Sequence, residues 1–502
     1  MRYLLVASLL LRSTCIFPQT SPFQKALPKV DAYIDTLMRD WNLPGLALAI
    51  VYKDQLVYAR GYGFRDIDKQ LPVTASTLFP IASNTKLMTA TVAGMLAEEG
   101  KLDLDQPATR YLPSLRFISD ELNDRVTVRD MLSHRTGLSR NDGIWIAAPF
   151  SRAETIQRIR YIKPALGRHE GYLYNNMMFV AAGGVMEQVT GKSWESLIRE
   201  KLFGPLDMKS SCFTDAEMTS GGNYALCYYE VDSTHRLSPK KYSSQTEALG
   251  PAGTVRSNLE DMSHWIIAQL NGGQYRQKTI FSNNVWKQTL TPNNISDREG
   301  KYDELSNALY GLGRSMYTYK GVKVASHTGS IDGYFSNLII VPKEQIGIFM
   351  VHNSTAGSII RPIMTYPVLD LLLNLGYTPW SQRYRQLSRE DKALEKRSED
   401  SIKATKVNGT RPSHNGADYA GNYASDLYGP LRIENQQDTL YLQFRKVRSR
   451  LLHFHYDQFY TEEKNLDLPD FRLQFSTDFG GKVDKVVMSV FGDPVTEFVR
   501  VH

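Results

Sequence analysis

Strand-like segments occur at both ends of the region up to residue 376, and their separation constrains the fold more than any other feature. Two apolar runs, Leu46–Tyr52 and Gln55–Gly61, flank a short turn and predict a β-hairpin. The other strand-like runs come only after residue 320: Lys323–Ser326, Ser336–Val341 and Ile346–Val351. Between the two groups, from about residue 85 to about residue 265, apolar residues recur mostly at helical spacing. This order predicts an α+β fold, with one antiparallel sheet built from both ends around an inserted helical lobe.

Helices are predicted at the borders of this region. Apolar residues recur at helical spacing from Val30 to Trp41, and Pro362–Leu375 has the composition of a closing helix. Beyond it, residues 377–411 are rich in charged side chains, which predicts a solvated helical linker. The sequence therefore divides into a main domain at 23–376, this charged linker, and a C-terminal domain at 412–502.

The C-terminal domain repeats short strand-like runs with turns between them. Examples are Gly429–Ile433, Thr439–Phe444 and Val483–Val490. Roughly seven or eight such runs in about 90 residues predict a small antiparallel β-barrel. A barrel of this size can hold a ligand or be filled by side chains. We favour a packed module or one that gates access of a substrate.

The N-terminus has the pattern of a secretory signal peptide, assigned to residues 1–20. Arg2 precedes the apolar run Tyr3–Leu11, which is too short to span a bilayer. The sequence leaves two cleavage positions open, one near Cys15 and one near Thr20, and it leaves open a lipid anchor on Cys15. We expect an exported protein, periplasmic or secreted, without a transmembrane span.

Charge and cysteine content narrow the classes of function. The net charge of +6 is modest for 502 residues, and Lys and Arg are scattered, so nucleic-acid binding is not expected. Cys212 and Cys227 would remain after processing, and the sequence fits a disulfide between them as well as two buried thiols. Neither lies near a CxxC pair or a histidine cluster, so no metal and no cofactor are expected.

A serine and a lysine lie three residues apart where the long helical region begins. The segment is Ser83-Asn-Thr-Lys86, and residues three apart share one face of a helix. An amine one turn from a hydroxyl can remove its proton when burial and cationic neighbours keep the amine unprotonated. Ser83 and Lys86 are therefore candidates for a nucleophile and its base.

A second polar motif, Tyr174-Asn175-Asn176, precedes an amphipathic helical pattern. A phenol acts as a base or a proton shuttle where neighbouring cations lower its pKa. Tyr172 and Asn175 are near alternatives, but the spacing to the following helix favours Tyr174 and Asn176.

A third motif, His327-Thr328-Gly329-Ser330, follows one of the late strand-like runs. Because glycine has no side chain, a substrate backbone can approach the strand closely at Gly329.

Together these motifs resemble those of the serine beta-lactamase and penicillin-binding-protein superfamily. The resemblance covers about residues 23–376 and is strongest to the branch of class C beta-lactamases, D-aminopeptidases and esterases. Residues around His134 are similar to a packing turn of these proteins, so we interpret His134 as structural. Pro251–Ser257 is similar to their glycine-rich segment near the pocket. The C-terminal strands resemble the lipocalin-like domain that some serine peptidases of this branch carry.

The resemblance implies an acyl-transfer mechanism with a role for each motif. Ser83 would attack a carbonyl carbon, and Lys86 and Tyr174 would manage its proton. The backbone N–H groups of Ser83 and Ser330 would form the oxyanion hole. Asn176 would donate amide hydrogen bonds to the substrate and to Lys86. The expected substrate-binding residues are Asn176, His327, Thr328, Gly329 and Ser330.

His327 stands where the lactamase pattern has a lysine, which changes the expected substrate. A histidine is mostly neutral at pH 7 and lacks the constant positive charge that favours carboxylate-bearing lactams. The sequence therefore predicts a serine hydrolase of a small-molecule or peptide substrate, with esters and D-amino-acid peptides or amides favoured over lactams. A cell-wall DD-peptidase is the alternative within the enzymes, and a non-catalytic binding protein on the same scaffold is the alternative outside them.

Overall fold

The computed structural model describes residues 23–231, 236–240, 247–297, 302–357, 359–462 and 471–501. The predicted signal peptide at 1–20 and Cys15 lie outside these residues. None of the helices in the described ranges combines the length and the apolar run that crossing a membrane requires.

Fifteen strands lie among the described residues before the charged linker. They are β1 Gly45–Tyr52, β2 Gln55–Asp66, β3 Leu71–Pro72, β4 Phe79–Pro80, β5 Tyr228–Val231, β6 Arg236–Pro239, β7 Arg256–Ser257, β8 Gln274–Tyr275, β9 Lys278–Thr279, β10 Asn294–Asp297, β11 Leu305–Tyr310, β12 Ser315–Tyr319, β13 Val322–Ile331, β14 Tyr334–Val341 and β15 Ile346–His352. Nine of them form one antiparallel sheet in the order β10-β11-β12-β13-β14-β15-β1-β2-β3. The predicted sheet built from both ends is confirmed.

Helices pack around this sheet, most of them from the sequence between its two halves, and two more follow in the linker and the C-terminal segment. They are α1 Leu27–Asp40, α2 Thr85–Glu98, α3 Ala108–Tyr111, α4 Asp120–Arg125, α5 Val128–Leu132, α6 Arg152–Arg158, α7 Asn176–Thr190, α8 Trp194–Ile198, α9 Asp215–Ser220, α10 Gly250–Gly253, α11 Leu259–Leu270, α12 Asn283–Leu290, α13 Ile360–Leu373, α14 Trp380–Ala404 and α15 Gly416–Tyr419. The predicted α+β class with an inserted helical lobe is therefore confirmed.

β1 lies inside the sheet, and its sequence shows why. Its residues are apolar without interruption because both faces of the sheet are covered. Leu46, Leu48 and Ile50 pack against the helices α1 and α13 on one face. The alternate residues, among them Ala47 and Ala49, face the helical lobe on the other. The helical lobe and the two terminal helices thus enclose the sheet from opposite sides.

The C-terminal segment forms a closed antiparallel barrel of eight strands, as predicted. The strands are β16 Gly421–Ser425, β17 Gly429–Gln436, β18 Thr439–Phe444, β19 Val447–His455, β20 Gln458–Thr461, β21 Arg472–Thr477, β22 Val483–Met488 and β23 Thr496–Val501. Large side chains fill its interior, including Tyr423, Leu431, Leu442, Phe444, Phe475, Met488 and Phe498, all nearly inaccessible to solvent. This supports a packed module over a ligand-filled one. The likeness to lipocalin-like domains stays a prediction.

The charged linker forms α14, which is exposed along most of its length. Trp380 at its start is buried and donates its indole N–H to the Tyr319 hydroxyl at 3.0 Å. The helix is thus anchored to β12 at one end while its remaining turns carry solvated charges. The two described cysteines, Cys212 and Cys227, are buried, and no disulfide joins them.

Candidate active site

Ser83 lies in a tight turn directly before α2. The turn, Ala82–Asn84, is a single 3₁₀ turn, and Ser83 is half-buried within it. Hydrogen bonds fix the turn against the sheet: Ser336 on β14 donates its hydroxyl to the Ile81 carbonyl at 2.7 Å, and the Asn84 amide donates to the Ser336 hydroxyl at 2.7 Å. The predicted nucleophile therefore lies on a rigid support at the junction of sheet and helix.

Lys86 is fully buried on the first turn of α2, and its amine has three polar neighbours. Nζ lies 3.0 Å from Ser83 Oγ, 2.7 Å from Asn176 Oδ1 and 2.7 Å from the Ala252 carbonyl oxygen. The last two oxygens can only accept hydrogen bonds. A neutral amine satisfies both with its two N–H groups and keeps a lone pair for the hydroxyl proton of Ser83.

Electrostatics around Lys86 favour this neutral state. Burial is the main cause that lowers the pKa of Lys86 well below its ordinary value; the guanidinium of Arg140 lowers it further, and the carboxylate of Asp142 opposes the shift. Burial and a cationic neighbour were both expected from the sequence, whereas the opposing carboxylate was not.

Asn176 is held in one orientation by Asp142. The Asn176 amide nitrogen donates to Asp142 Oδ1 at 2.8 Å, so its oxygen faces Lys86. The expected donation from Asn176 to Lys86 is therefore wrong, because the amide oxygen accepts from the lysine. Asp142 also accepts the indole N–H of Trp145 at 2.9 Å and the Nε–H of Arg140. Since a carboxylate only accepts hydrogen bonds, Asp142 determines which end of the Asn176 amide faces the lysine.

Tyr174 closes the site beside Lys86. The lysine Nζ lies 4.9 Å and the Arg140 guanidinium carbon 5.2 Å from the centre of the Tyr174 ring. Burial nevertheless raises the pKa of Tyr174 above its ordinary value, although a side-chain hydrogen bond with Ser83 and the charge of Arg140 act in the opposite direction. The phenol is therefore protonated at neutral pH, which suits a proton relay and not the phenolate base that the sequence also allowed.

The structure distinguishes Tyr174 and Asn176 from their near alternatives. Tyr172 packs against the rings of His134 and Tyr310, with ring centres 5.6 and 5.4 Å away. Asn175 instead caps α7, where its side-chain oxygen accepts the Met177 N–H at 2.9 Å. Of the two asparagines, it is Asn176 that contacts Lys86.

His134 packs beneath the segment that carries Tyr174 and Asn175. It is fully buried, its Nδ1 accepts the backbone N–H of Asn175 at 3.1 Å, and its ring centre lies 4.2 Å from that of Tyr174. These contacts fit the structural interpretation of His134.

The third motif lies on β13 where the strand loses one neighbour. β12 pairs with β13 only as far as Ser326, whereas β14 pairs with it up to Ile331. The edge that follows, with Thr328 and Ser330 exposed on it, borders the cavity next to Ser83. A Cβ on Gly329 would lie 2.1 Å from the Ile81 carbonyl oxygen, so glycine is needed for this strand to meet the nucleophile turn.

His327 is buried and neutral. Its Nδ1–H donates to the Thr328 carbonyl at 2.7 Å, and its Nε2 accepts the Tyr310 hydroxyl at 3.0 Å. Burial, with the charge of Lys86 as the next cause, lowers the pKa of His327 to about 3. This pKa agrees with the expectation from the sequence that residue 327 carries no constant positive charge.

The cavity in front of Ser83 has a volume of about 610 Å³ and contains two arginines that no sequence motif indicated. Arg140 comes from the loop before Asp142. Arg361 lies at the start of α13, stacks over the Phe335 ring at 5.6 Å, and reaches toward the Gly329 carbonyl. A guanidinium keeps its charge at neutral pH, so the cavity can receive an anionic group without a lysine in the third motif.

Residues 140–145 are the main part of the site that sequence reasoning missed. Arg140, Asp142 and Trp145 all contact the site, and the polar run Arg140-Asn-Asp142 after a buried leucine is a signal that could have indicated them. In the described ranges, no group of three or more His, Cys, Asp or Glu side chains is arranged to hold a metal ion.

Comparison with curated proteins finds relatives along most of the chain. Unguisins hydrolase ungD' of Aspergillus campestris is 27% identical over 422 residues, which are 80% of this chain and 77% of that protein. Protein flp of Staphylococcus aureus is 24% identical over 333 residues, 65% of this chain and 62% of that protein.

Solved structures share the fold. The octameric penicillin-binding protein homologue from Pyrococcus abyssi has a TM-score of 0.62 at 22% identity. The aligned residues make up 94% of this chain and 99% of the Pyrococcus chain. SurE has a TM-score of 0.59 at 20% identity, and the aligned residues make up 95% of this chain and 99% of the SurE chain.

Family models match both parts of the chain. Residues 405–499 match a domain of unknown function, DUF3471, in the segment that forms the barrel. Residues 30–366 match the beta-lactamase model, and these residues hold Ser83, Lys86, Tyr174 and the β13 motif. The chain therefore belongs to the beta-lactamase family.

Proposed function

We propose that this protein is a serine hydrolase that acts through an acyl-enzyme on Ser83. The observation that carries the proposal is the Lys86 amine, which is fully buried 3.0 Å from Ser83 Oγ and bonded to two carbonyl oxygens. This arrangement leaves the lone pair of the amine for the serine proton. It is the activated pair that nucleophilic catalysis by a hydroxyl requires.

The proposed reaction has two steps. Ser83 Oγ attacks the carbonyl carbon while its proton passes to Lys86, and the N–H groups of Ser83 and Ser330 stabilise the oxyanion. The tetrahedral intermediate expels the alcohol or amine, which takes a proton from Lys86 through the Tyr174 hydroxyl. A water molecule then attacks the acyl carbon and gives a proton back through the same groups. The acid leaves, and the Ser83 hydroxyl is restored.

For the substrate we propose an ester or a D-amino-acid peptide or amide. His327 contributes no charge, which supports the preference for substrates other than carboxylate-bearing lactams. Because Arg140 and Arg361 line the cavity, the substrate can also carry an acidic group away from the reacting carbonyl. One curated relative is named as a hydrolase of unguisins, which supports hydrolysis as the reaction type. We propose that the enzyme works after export, on the basis of the predicted signal peptide.

Replacement of Ser83 tests the proposal. We expect Ser83→Ala to abolish labelling by a fluorophosphonate probe and to lower hydrolysis of p-nitrophenyl esters and D-amino-acid p-nitroanilides by at least about 10³-fold, because the nucleophile is lost. Ser114→Ala, which changes an exposed serine on the surface, is the matched control and should keep wild-type labelling. Labelling that persists in Ser83→Ala would refute the mechanism.

A substrate screen separates the remaining choices. Esters, D-amino-acid amides, nitrocefin and D-Ala-D-Ala peptides are compared by kcat/KM on the wild-type protein. The highest value on D-Ala-D-Ala peptides would favour the cell-wall peptidase, and the highest value on nitrocefin would contradict the preference stated here. A folded wild-type protein that no active-site probe labels would favour a binding protein.

A further inference from the structure

The barrel contacts the loop that orients the catalytic amide. Tyr428 and Asp493 both come from the barrel segment, after β16 and before β23 respectively. The Asp493 carboxylate accepts the backbone N–H of Gly143 at 2.6 Å and the Tyr428 hydroxyl at 3.0 Å. The Tyr428 hydroxyl in turn accepts the side-chain N–H of Asn141 at 2.8 Å. The barrel therefore binds the residue on each side of Asp142.

These contacts are buried and closely fitted. Asn141 is 4%, Tyr428 1% and Asp493 9% exposed, so water competes little for their hydrogen bonds. A Cβ on Gly143 would lie 2.6 Å from Asp493 Oδ2 and 2.8 Å from Val490 Cγ1. Only a glycine allows the loop to approach the barrel this closely.

Neighbouring contacts extend the same interface. Arg445 at the end of β18 donates to the Ile146 carbonyl and lies 5.9 Å from the Phe150 ring. Arg158 on α6 donates to the Asp426 carbonyl. The loop is thus held by the barrel along its length from Asn141 to Phe150.

The held loop is connected to the lysine by one chain of hydrogen bonds. Asp142 lies between the two residues that the barrel binds, and it accepts the Asn176 amide N–H at 2.8 Å. The opposite end of that amide accepts from Lys86 at 2.7 Å. If the loop moved away, the Asn176 amide would lose the partner that fixes its orientation, and its NH₂ group could face the lysine. Two donors would then oppose each other, and the lysine would lose its alignment with Ser83.

We propose that the barrel is a positioning element of the active site, in which Tyr428 and Asp493 hold Asp142 so that Asn176 presents its oxygen to Lys86. This inference rests on the proposed serine-hydrolase function for its effect on rate. The placement of the loop does not depend on that function and can be measured separately.

The barrel offers a matched pair for the test. Tyr419 also donates its hydroxyl to a carboxylate, that of Asp457, but among the described residues the hydrogen bonds of these two side chains stay within the C-terminal segment. We compare Tyr428→Phe and Asp493→Asn with Tyr419→Phe and Asp457→Asn. In each pair, one variant removes the tyrosine hydroxyl and the other removes the aspartate charge. The pairs differ in that Tyr428 and Asp493 contact the loop around Asp142, whereas Tyr419 and Asp457 do not.

The kinetic readout is the steady-state hydrolysis of a p-nitrophenyl ester, resolved into kcat and KM. We expect the two loop-contacting variants to lower kcat by roughly 10- to 100-fold, the range for a displaced catalytic group, with KM changed less than about threefold. The decrease in kcat should be smaller for Asp493→Asn than for Asp493→Ala, because the amide oxygen of asparagine can still accept the Gly143 N–H. The two control variants should keep kcat within about twofold at a temperature where they are folded.

Hydrogen exchange of residues 139–150 gives the readout that is independent of activity. We expect faster exchange of this segment in Tyr428→Phe and Asp493→Asn and wild-type exchange in the controls. Wild-type kcat in a folded loop-contacting variant, or unchanged exchange of the segment, would overturn the proposal. If the wild-type protein lacks Ser83-dependent activity, the proposed function fails, while the exchange experiment still decides whether the barrel holds the loop.

Discussion

At the residue scale, the proposed site separates the groups that move protons from the groups that carry charge. Burial raises the pKa of Tyr174 and lowers that of His327 to about 3, so both are uncharged near neutral pH. Burial also lowers the pKa of Lys86 well below its ordinary value, which favours the neutral amine. The permanent charges belong to Arg140 and Arg361, whose guanidinium groups line the cavity. A neutral amine can accept the serine proton, and the arginines can bind an acidic group without taking part in the proton transfer.

This separation predicts how the activity depends on pH. In the proposed mechanism Lys86 accepts the serine proton and must be unprotonated, so kcat/KM should rise with pH along a limb set by the pKa of Lys86, which lies well below the ordinary lysine value. His327, with its pKa of about 3, is neutral across this range. We therefore expect His327→Gln to keep the limb within about 0.5 pH unit of its wild-type position. Measurement of kcat/KM on an uncharged ester checks this, and a limb that disappears in the variant would assign it to His327.

At the element scale, burial on both faces explains which strands the sequence predicts. β1, β14 and β15 are apolar runs, because helices cover both sides of the sheet there, and β2 was predicted from the short turn that joins it to β1. β10 and β11 were not predicted, since they lie at and next to the sheet edge, most of their residues are exposed or half-buried, and they depend on pairing with their neighbours. β20 in the barrel was missed for a similar reason, because four residues carry too little periodicity.

The contact between β13 and the nucleophile turn gives a prediction at this scale. In Gly329→Ala the new methyl group would lie 2.1 Å from the Ile81 carbonyl oxygen and 2.3 Å from Ser336 Oγ, so strand and turn must separate. We expect fluorophosphonate labelling of Ser83 to slow by about 100-fold, the effect of a displacement near 1 Å.

Gly221→Ala is the control for this variant, because a Cβ at Gly221 meets no atom within 4 Å. It should label like the wild-type protein. Equal labelling rates for the two variants would show that the close approach at Gly329 has no role in placing Ser83.

At the scale of the whole molecule, the site combines segments that are far apart in the sequence. Ser83 comes from the turn before α2, Lys86 from the first turn of α2, Asn176 from α7 and the third motif from β13. Each carries a local motif, so the sequence indicated all of them. The bond between Gly143 and Asp493 joins residues 350 positions apart and has no motif at either end. Such a contact follows from the packing of two folded units, which local periodicity cannot indicate.

The buried histidines make the stability of the whole molecule depend on pH. Burial lowers the pKa values of His327 and His352 to about 3, while the unfolded chain binds these protons near pH 6.5. Between those values the unfolded state holds more protons, so the free energy of unfolding falls as the pH falls, by about 1.4 kcal/mol per pH unit for each histidine. Above about pH 6.5 these groups make no pH-dependent contribution.

His352 allows this effect to be measured apart from the active site. It is fully buried on β15, and its ring stacks on Phe335 at 5.3 Å. In His352→Gln we expect the free energy of unfolding to fall less steeply between pH 6.5 and 5 than in the wild-type protein, by about 1.4 kcal/mol per pH unit. The loss of stacking lowers the whole curve equally at every pH, so only the slope reports the proton. Urea unfolding at pH 7.5, 6.5, 5.8 and 5 measures it, and parallel curves for the two proteins would mean that His352 binds its proton equally well in the folded and unfolded states.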